Sequence, residues 1–407
     1  MNDAKYIGMD AHQATILVAV RDSRGNLVLE AILETKAETI LQFICGLRGS
    51  LQVTFEEGTW AAWLYDLLQP HVARVLACDP RKNALLKAGN KSDRIDARKL
   101  SELLYLNKLN PVYHGGHDIR ARKELARSYI TMTRDLTRVM SRLKAMYRSW
   151  GIACAGQQVY APRYRAEWLA KIAEAAVRHR AELYYQQFDA LAALRQEARR
   201  ELLAEARKHP ALRLLRQIPS VGPSRAALLI ALMQTPHRFR TKRQLWAYCG
   251  LALRTYDSGE YRFVGGQLKR SKKAVTIRGL NKNHNHDLKN ILKGAATRAA
   301  GTAGPLQNFY QARLASGMKP PMARLTLARK IAVTTLLVWK KGGQREAESS
   351  GENRHSRFHS ERRMNTEAKP QPEHSMQEVS DWAAAYAAVP IRRFHMCGGD
   401  EPGAWLF

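Results

Sequence analysis

The sequence predicts an α/β domain at the N-terminus, a long helical insertion after it and a mainly α-helical C-terminal domain. Two observations support this prediction. Runs of aliphatic and β-branched residues alternate with helical periodicity over about the first quarter of the chain, as is typical of an α/β domain. Long arginine-rich segments follow, in which apolar residues recur at three- and four-residue steps, as in packed helices. The predicted regions are residues 1–115, 116–207 and 208–342, and then a polar tail, 343–407.

The first domain reads as eight secondary-structure elements. Three strands come first, YIGMD, TILVAVRD and NLVLEAIL, with a turn at DSRGN. After them come the helix AETILQFICGL, the strand QVTFEE, the helix WAAWLYDLLQP, the strand ARVLACDP and the helix SDRIDARKLSELLYL. The order is therefore βββαβαβα. A ribonuclease H-like fold requires this order, because its antiparallel three-stranded meander has a first strand that is flanked by a parallel fourth.

The helical insertion is rich in arginine, and acids are sparse between Arg120 and Trp150. Its apolar stripes predict helices that pack as an antiparallel pair or as an intermolecular coiled coil. The arginines either form solvated helix faces or contact nucleic-acid phosphates. These two interpretations are compatible. In both of them the arginines lie on one face of the helix and the apolar stripe packs on the opposite face.

The C-terminal domain opens with IPSVGPSRAALLIA, in which Pro219, Gly222 and Pro223 supply a turn between two helices. This pattern resembles a helix-hairpin-helix, whose turn offers backbone N–H groups to a phosphate at a helix N-terminus. A purely structural helical hairpin fits the pattern almost as well. Basic segments at 238–244 and 269–279 would follow a nucleic-acid backbone by charge. The tail is polar, and we expect it to be disordered.

Composition restricts the partner and the compartment. The 407 residues include 66 Lys and Arg against 36 Asp and Glu, a formal net charge of +30. A polyanionic partner is therefore expected, and nucleic acid fits better than an anionic membrane because the basic residues are spread over the whole chain.

The five cysteines are scattered along the chain, so the sequence predicts neither disulfides nor a zinc site, which fits a protein of the reducing cytoplasm. The N-terminal residues do not show the pattern of a signal peptide. The apolar segment 325–339 is too short to span a membrane, so no membrane contact is expected.

Four carboxylates fall where a ribonuclease H-like sheet would bring them together. Asp10 ends the first predicted strand, and Glu56 and Glu57 end the fourth. In this fold those strands are parallel neighbours, so their carboxyl ends lie at one edge of the sheet. Asp93 and Asp96 are three residues apart, which puts both on one face of the last helix. The acids predict a site for one or two Mg²⁺ ions, which prefer carboxylate oxygens and stabilise the attacking and leaving oxygens of a phosphoryl displacement.

Each acid also has a plainer interpretation on its own. Ser92 is a good helix N-cap, and Asp93 and Asp96 in the first turn would complement the helix dipole. We favour the metal site because all four acids fall together at the matching positions of the fold. Of the two adjacent glutamates we favour Glu56, since it directly follows the apolar run VTF and Glu57 would point to the other face of the strand.

Five segments stand out together: YIGMDAH, VTFEEGTWAAWL, KSDRIDARKL, IPSVGPSRAALLIA and FRTKRQLWAYCGLALRTYDSGEYR. In combination they resemble the DEDD transposases and invertases of bacterial insertion sequences, the IS110 and Piv type, over roughly residues 5–300. The resemblance implies a RuvC-like N-terminal domain with the acidic tetrad Asp10, Glu56, Asp93 and Asp96. It also implies a C-terminal transposase domain, whose nucleophilic serine falls on Ser258 in RTYDSGEYR.

The same resemblance implies the partners. A member of this family would be a recombinase that acts on donor and target DNA in the bacterial cytoplasm. It would be guided by a structured RNA encoded at the end of the element, and it would assemble its site from two subunits of a homo-oligomer, a dimer or a tetramer.

Ser258 lies between Asp257 and Gly259, so on its own it would be interpreted as a turn residue. A serine hydroxyl can nevertheless attack a phosphodiester and form a covalent phosphoserine bond that stores the energy for religation, provided that it is activated. Tyr256 is a rival nucleophile. Two other functions stay open at this point: a RuvC-like endonuclease that cuts Holliday junctions with a metal-activated water, and a non-catalytic nucleic-acid-binding protein.

Overall fold

The computed structural model describes residues 3–83, 92–256, 261–270 and 276–357, with the backbone alone for residues 83, 117, 256, 270, 276, 278 and 343–357. The chain divides into two compact units, Met1–Gly116 and His117–Phe407. Each unit has its own buried apolar clusters, and each is described separately below.

The first unit is built on one mixed sheet. Its elements in chain order are β1 (Ala4–Ala11), β2 (Thr15–Arg21), β3 (Leu27–Glu34), α1 (Ala37–Gly46), β4 (Ser50–Glu56), α2 (Ala61–Leu68), β5 (Arg74–Cys78), α3 (Pro80–Asn83) and α4 (Asp93–Tyr105). The strand order in the sheet is β3-β2-β1-β4-β5. Strands β1, β2 and β3 form an antiparallel meander, whereas β4 runs parallel to β1 and β5 runs parallel to β4.

Helices cover both faces of this sheet. The side chains of Ile7 and Met9 in β1 pack with Val53 and Phe55 of β4 in one apolar cluster, which also contains residues of α1 and α2. Side chains alternate along a strand, so Gly8 faces the opposite side, where α4 lies against it. The unit therefore has a helix–sheet–helix layering, with α1 and α2 on one face and α4 on the other.

The observed sheet is compatible with a ribonuclease H-like domain, as the sequence predicts. Within the described residues the order βββαβαβα is present with one addition, the short helix α3, which was not predicted because four residues carry no periodicity. Strand β1 also continues one residue beyond Asp10, to Ala11.

The second unit is mostly helical. Its helices are α5 (His117–Ser149), α6 (Arg165–Ala170), α7 (Ala175–Arg207), α8 (Ala211–Arg216), α9 (Pro223–Met233), α10 (Lys242–Tyr248), α11 (His286–Ala300), α12 (Pro305–Ala315) and α13 (Pro320–Arg357). Four short strands, which the sequence did not predict, lie between α10 and α11: β6 (Leu253–Tyr256), β7 (Tyr261–Val264), β8 (Gln267–Arg270) and β9 (Thr276–Leu280). They form two separate antiparallel pairs, β6 with β9 and β7 with β8.

Helices α5 and α7 pack along each other in antiparallel directions within the chain. Near the end of α5, the Tyr147 hydroxyl lies 3.2 Å from the hydroxyl of Tyr185, which is near the start of α7. Near the start of α5, Ala126 packs in a cluster with Leu202 and Ala206 from the end of α7. Of the two arrangements left open by the sequence, the antiparallel pair is thus present, and an intermolecular coiled coil stays a prediction.

The helices of the C-terminal region surround one large apolar cluster. Helix α9 lies at its centre, since all eight residues from Ala226 to Met233 are buried. The apolar segment 325–339 is part of α13, and Leu327, Ile331 and Leu336 belong to the same cluster. None of the helices in the described residues has both the length and the apolar composition needed to cross a membrane.

Helix α13 crosses position 342, where the sequence predicts the start of the tail, and continues to Arg357. The rest of the predicted tail, residues 358–407, lies outside the described residues.

Candidate metal centre

The sheet register aligns two of the predicted acids. Met9 of β1 pairs with Phe55 of β4, so the next residues, Asp10 and Glu56, occupy matching positions on parallel neighbours. Both follow a residue whose side chain lies in the α1–α2 cluster. By alternation, the side chains of Asp10 and Glu56 are therefore on the opposite face, the one that α4 covers.

Helix α4 brings the other two acids to that face. Asp93 is its first residue and Asp96 lies in its first turn. Ser92 caps the helix, because its Oγ accepts a hydrogen bond of 3.3 Å from the backbone N–H of Ile95. The Asp93 side chain is 60% exposed, whereas the Oδ1 atom of Asp96 is buried.

Gly8 sets how closely α4 approaches β1. A Cβ atom on Gly8 would lie 2.3 Å from the carbonyl oxygen of Ala97 and 2.4 Å from the backbone nitrogen of Ser101. The helix backbone therefore rests directly on the strand backbone, which only glycine allows. This close contact lies two residues before Asp10 and one turn after Asp93.

Asp10 and Asp93 come together around a third residue, His12. The His12 Nε2 atom lies 3.2 Å from Asp10 Oδ2 and 3.5 Å from Asp93 Oδ2. One potential metal-binding atom from each of the three residues lies within 4.8 Å of the other two. Glu56 and Asp96, although they belong to the described residues, are outside this group of three. His12 was not among the residues predicted from the sequence, where its one signal was its position two residues after Asp10.

The neighbouring Glu57 is engaged elsewhere. Its Oε2 atom lies 2.6 Å from Nε2 of His114, a side chain that is only 6% exposed. The His114 ring in turn stacks on Tyr65 of α2, with ring centroids 4.8 Å apart. Because α2 is on the face opposite α4, these contacts favour Glu56 over Glu57 as the glutamate that faces α4.

An arginine-lined cleft lies at the turn between α8 and α9 in the second unit. The cleft has a volume of about 340 Å³, and it is lined by Arg216, Arg225 and Arg298 together with turn residues 218–222. Ser220 adopts a positive φ of 68°, and the Arg225 guanidinium donates a hydrogen bond of 3.0 Å to its carbonyl oxygen. This hydrogen bond ties the turn to α9, and three arginines line the cleft beside it.

Two family models match the chain. A DEDD transposase model matches residues 7–149, and a model described as Transposase IS116/IS110/IS902 family matches residues 212–311. The two matched segments together cover more than half of the chain. The chain belongs to the IS110 family of transposases. A direct comparison with curated proteins found no match for it.

The first matched segment of this transposase contains Asp10, Glu56, Asp93 and Asp96, and the second contains the α8–α9 turn and Ser258. Membership of the family implies DNA as the substrate and a DNA-cutting and rejoining enzyme. Ser258 itself lies outside the described residues, in the segment between the end of β6 and the start of β7.

DEDD transposases are generally metal-dependent, and the donor atoms around Asp10 suit a divalent cation. In an octahedral site with bonds of about 2.1 Å, adjacent ligand atoms are about 3.0 Å apart. The separations of 3.2 Å and 3.5 Å from His12 Nε2 to the two carboxylates are close to this value. The three donor atoms, which all lie within 4.8 Å of one another, are therefore close enough to share a single ion.

Proposed function

We propose that this transposase cuts and rejoins DNA strands with a Mg²⁺ site formed by Asp10, Glu56, Asp93 and Asp96 and with Ser258 as the nucleophile. The observation that carries the proposal is the register of β1 and β4. It aligns Asp10 with Glu56 on the face of the sheet covered by α4, the helix that begins with Asp93.

In this proposal the four carboxylates hold one or two Mg²⁺ ions. When bound, the metal would stabilise the negative charge that develops on the scissile phosphate. The role of the chain is to hold the oxygens in place: Asp10 through β1, Glu56 through β4, and Asp93 and Asp96 through the capped first turn of α4. Asp96, whose Oδ1 atom is buried, would bind the ion from the protein side, and Asp93, whose side chain is exposed, would bind it from the solvent side.

Ser258 would carry the covalent step. Its Oγ attacks the phosphorus atom and forms a phosphoserine ester, while the bond from phosphorus to one strand oxygen breaks and that oxygen takes the proton as a free hydroxyl. One phosphodiester is thereby exchanged for another, so the reverse attack by a strand hydroxyl can rejoin DNA without an external energy source.

The second unit would bind nucleic acid. The cleft at the α8–α9 turn has the features expected of a helix-hairpin-helix contact to a backbone phosphate: a helix N-terminus at Pro223 and three arginines around it. The arginines of α5 and α7 would add contacts to DNA or to a guide RNA. The guide RNA and a homo-oligomer, dimer or tetramer, are proposed from the family resemblance.

The covalent adduct is the decisive measurement. Full-length protein is incubated with DNA of the element ends, its flanking RNA and Mg²⁺, and protein–DNA adducts are separated on a denaturing gel. We expect an adduct with the wild type and with Tyr256→Phe, and none with Ser258→Ala or Asp10→Asn. An adduct in Ser258→Ala that is lost in Tyr256→Phe would assign the nucleophile to the tyrosine. Free, unattached ends from both wild type and Ser258→Ala would instead indicate a RuvC-like endonuclease that uses water.

Adjacent glutamates supply a matched pair of variants for the metal site. Glu56→Gln should abolish cleavage, because it removes a charged oxygen from the α4 face. Glu57→Gln should retain most of the cleavage, because Glu57 contacts His114 on the α2 side. Equal loss in both variants, or full activity of Glu56→Gln and Asp10→Asn, would contradict the proposed ligand set.

A further inference from the structure

We propose that His12 is a direct nitrogen ligand of the metal ion at Asp10 and Asp93, so that the site has a mixed nitrogen and oxygen donor set. This inference rests on the proposed function, since it concerns the ion that the carboxylates would hold. It adds a ligand of a different chemical class to the four acids, and with it a preference among divalent ions.

The backbone of His12 is held in place independently of any ion. His12 lies in the turn between β1 and β2, where its N–H donates a hydrogen bond of 2.9 Å to the carbonyl oxygen of Thr15. Its own carbonyl oxygen accepts a hydrogen bond of 2.9 Å from the Thr35 hydroxyl. Both polar backbone groups are therefore satisfied, and the imidazole projects from a fixed point at the end of the sheet.

The imidazole is directed at both carboxylates through the same atom. Nε2 lies 3.2 Å from Asp10 Oδ2 and 3.5 Å from Asp93 Oδ2, and these distances are typical of ligand atoms that share an ion. The side chain is 47% exposed, so an ion and its remaining water ligands could approach from solvent. Asp10 and Asp93 come from separate elements, β1 and α4, and the ring atom lies within reach of both.

A nitrogen ligand changes which ions the site prefers. Mg²⁺ favours oxygen ligands, whereas imidazole raises the affinity for transition-metal ions. We therefore expect Mn²⁺ to bind this transposase more tightly than Mg²⁺, and we expect His12 to be responsible for much of the difference. The competing interpretation is an ordinary surface ion pair, in which a protonated His12 contacts two aspartates and never binds metal.

Electron spin-echo spectroscopy of bound Mn²⁺ distinguishes the two interpretations, because it detects nitrogen nuclei coordinated to the ion. Full-length protein is loaded with one equivalent of Mn²⁺, once with natural histidine and once with ¹⁵N-labelled histidine. We expect a ¹⁴N modulation in the first sample that is replaced by a ¹⁵N modulation in the second. This comparison needs no variant and so does not depend on how a substitution affects folding.

Variants then assign the nitrogen. His12→Gln should lose the modulation and bind Mn²⁺ about tenfold or more weakly by calorimetry, with a smaller change for Mg²⁺. His71→Gln is the matched control, since His71 is an exposed histidine of the same unit, and it should behave like the wild type. Asp10→Asn should weaken the binding of both ions.

The outcomes separate the inference from the proposal it rests on. Mn²⁺ binding that depends on Asp10 but shows no nitrogen modulation would overturn the role of His12 and leave the carboxylate site intact. A wild type that binds neither ion, or binding unaffected by Asp10→Asn, would overturn the metal site itself.

Discussion

Gly8 sets the distance between β1 and α4, the two elements that carry Asp10 and Asp93 of the candidate metal centre. Its missing side chain lets the backbone of α4 lie on β1, and the nearest atoms of the helix are backbone atoms of Ala97 and Ser101. Backbone cannot swing away as a flexible side chain can. An added methyl group must therefore displace the helix that carries Asp93 and Asp96.

We predict that Gly8→Ala lowers the free energy of unfolding by about 3 kcal/mol or more, at the upper end of the range for overpacked cores. Gly46→Ala is the control: Gly46 is the last residue of α1, and a Cβ there would meet nothing within 4 Å. It should change stability by less than about 1 kcal/mol, because alanine is the better helix former. Urea unfolding measures both, and a similar small effect of the two substitutions would contradict the close contact of β1 and α4.

His12 illustrates what the sequence could and could not predict about single residues. The positions of Asp10 and Glu56 near strand ends were predictable because hydrophobic runs locate the ends of strands, whereas their role as metal ligands stays a prediction. The position of His12 could not be predicted in this way, since it lies after the end of β1 and the path of the β1–β2 turn decides where its ring points. The hydrogen bond from the His12 N–H to the Thr15 carbonyl and the one from the Thr35 hydroxyl to the His12 carbonyl fix that path, and they depend on pairing along the whole β1–β2–β3 meander.

Helix α4 is attached to the sheet by ion pairs as well as by packing. The Arg98 guanidinium of α4 donates two hydrogen bonds of 2.6 Å to the Glu30 carboxylate of β3, and Arg94 lies 3.1 Å from the same group. The hydrogen bonds from Arg98, and then those from Arg94, lower the pKa of Glu30 to about 2 from its ordinary value of 4.5. The same helix thus carries acids at its start and arginines that bind the sheet.

The depressed pKa fixes the pH range in which this attachment stabilises the protein. The folded state binds the Glu30 proton less readily than the unfolded state does, so the contribution is complete above about pH 4.5 and is lost as the pH falls toward 2. We predict that the difference in unfolding free energy between wild type and Glu30→Gln is constant from pH 7 to about pH 5 and shrinks at lower pH. A difference that stays constant down to pH 3 would show that Glu30 is not held by the arginines.

The predictable elements were those with long, regular patterns. The five strands of the first unit follow from runs of aliphatic and β-branched residues, and the long helices α5 and α7 follow from apolar residues at three- and four-residue steps, even though Leu33 is the one buried residue of β3. The strands β6 to β9 were missed because each spans only four or five residues, and every residue of β7 is exposed. Exposed, short strands leave no alternation of polar and apolar residues to detect.

The net positive charge of the chain and its cluster of predicted acidic ligands have opposite effects on a nucleic acid. A net charge of +30 attracts a polyanion over the surface, whereas the carboxylates at Asp10, Glu56, Asp93 and Asp96 repel phosphate unless a cation neutralises them. The sequence could predict this opposition from composition and motif. It could not predict which of the many arginines face a phosphate, because that depends on which helices pack together and which surfaces they leave open.

The cleft at the α8–α9 turn makes that question testable. Binding of the full-length protein to a non-specific DNA duplex is measured as a function of salt, where the slope of log K against log salt is about −0.9 for each phosphate neutralised. We predict that Arg216→Ala and Arg298→Ala each reduce the magnitude of the slope by about 1, because both side chains line the cleft. Arg213→Ala removes the same charge from an exposed position of the same helix, α8, outside the cleft. If its slope changed as much as that of Arg216→Ala, the binding would reflect overall charge alone, and the cleft would have no special role in holding the phosphate.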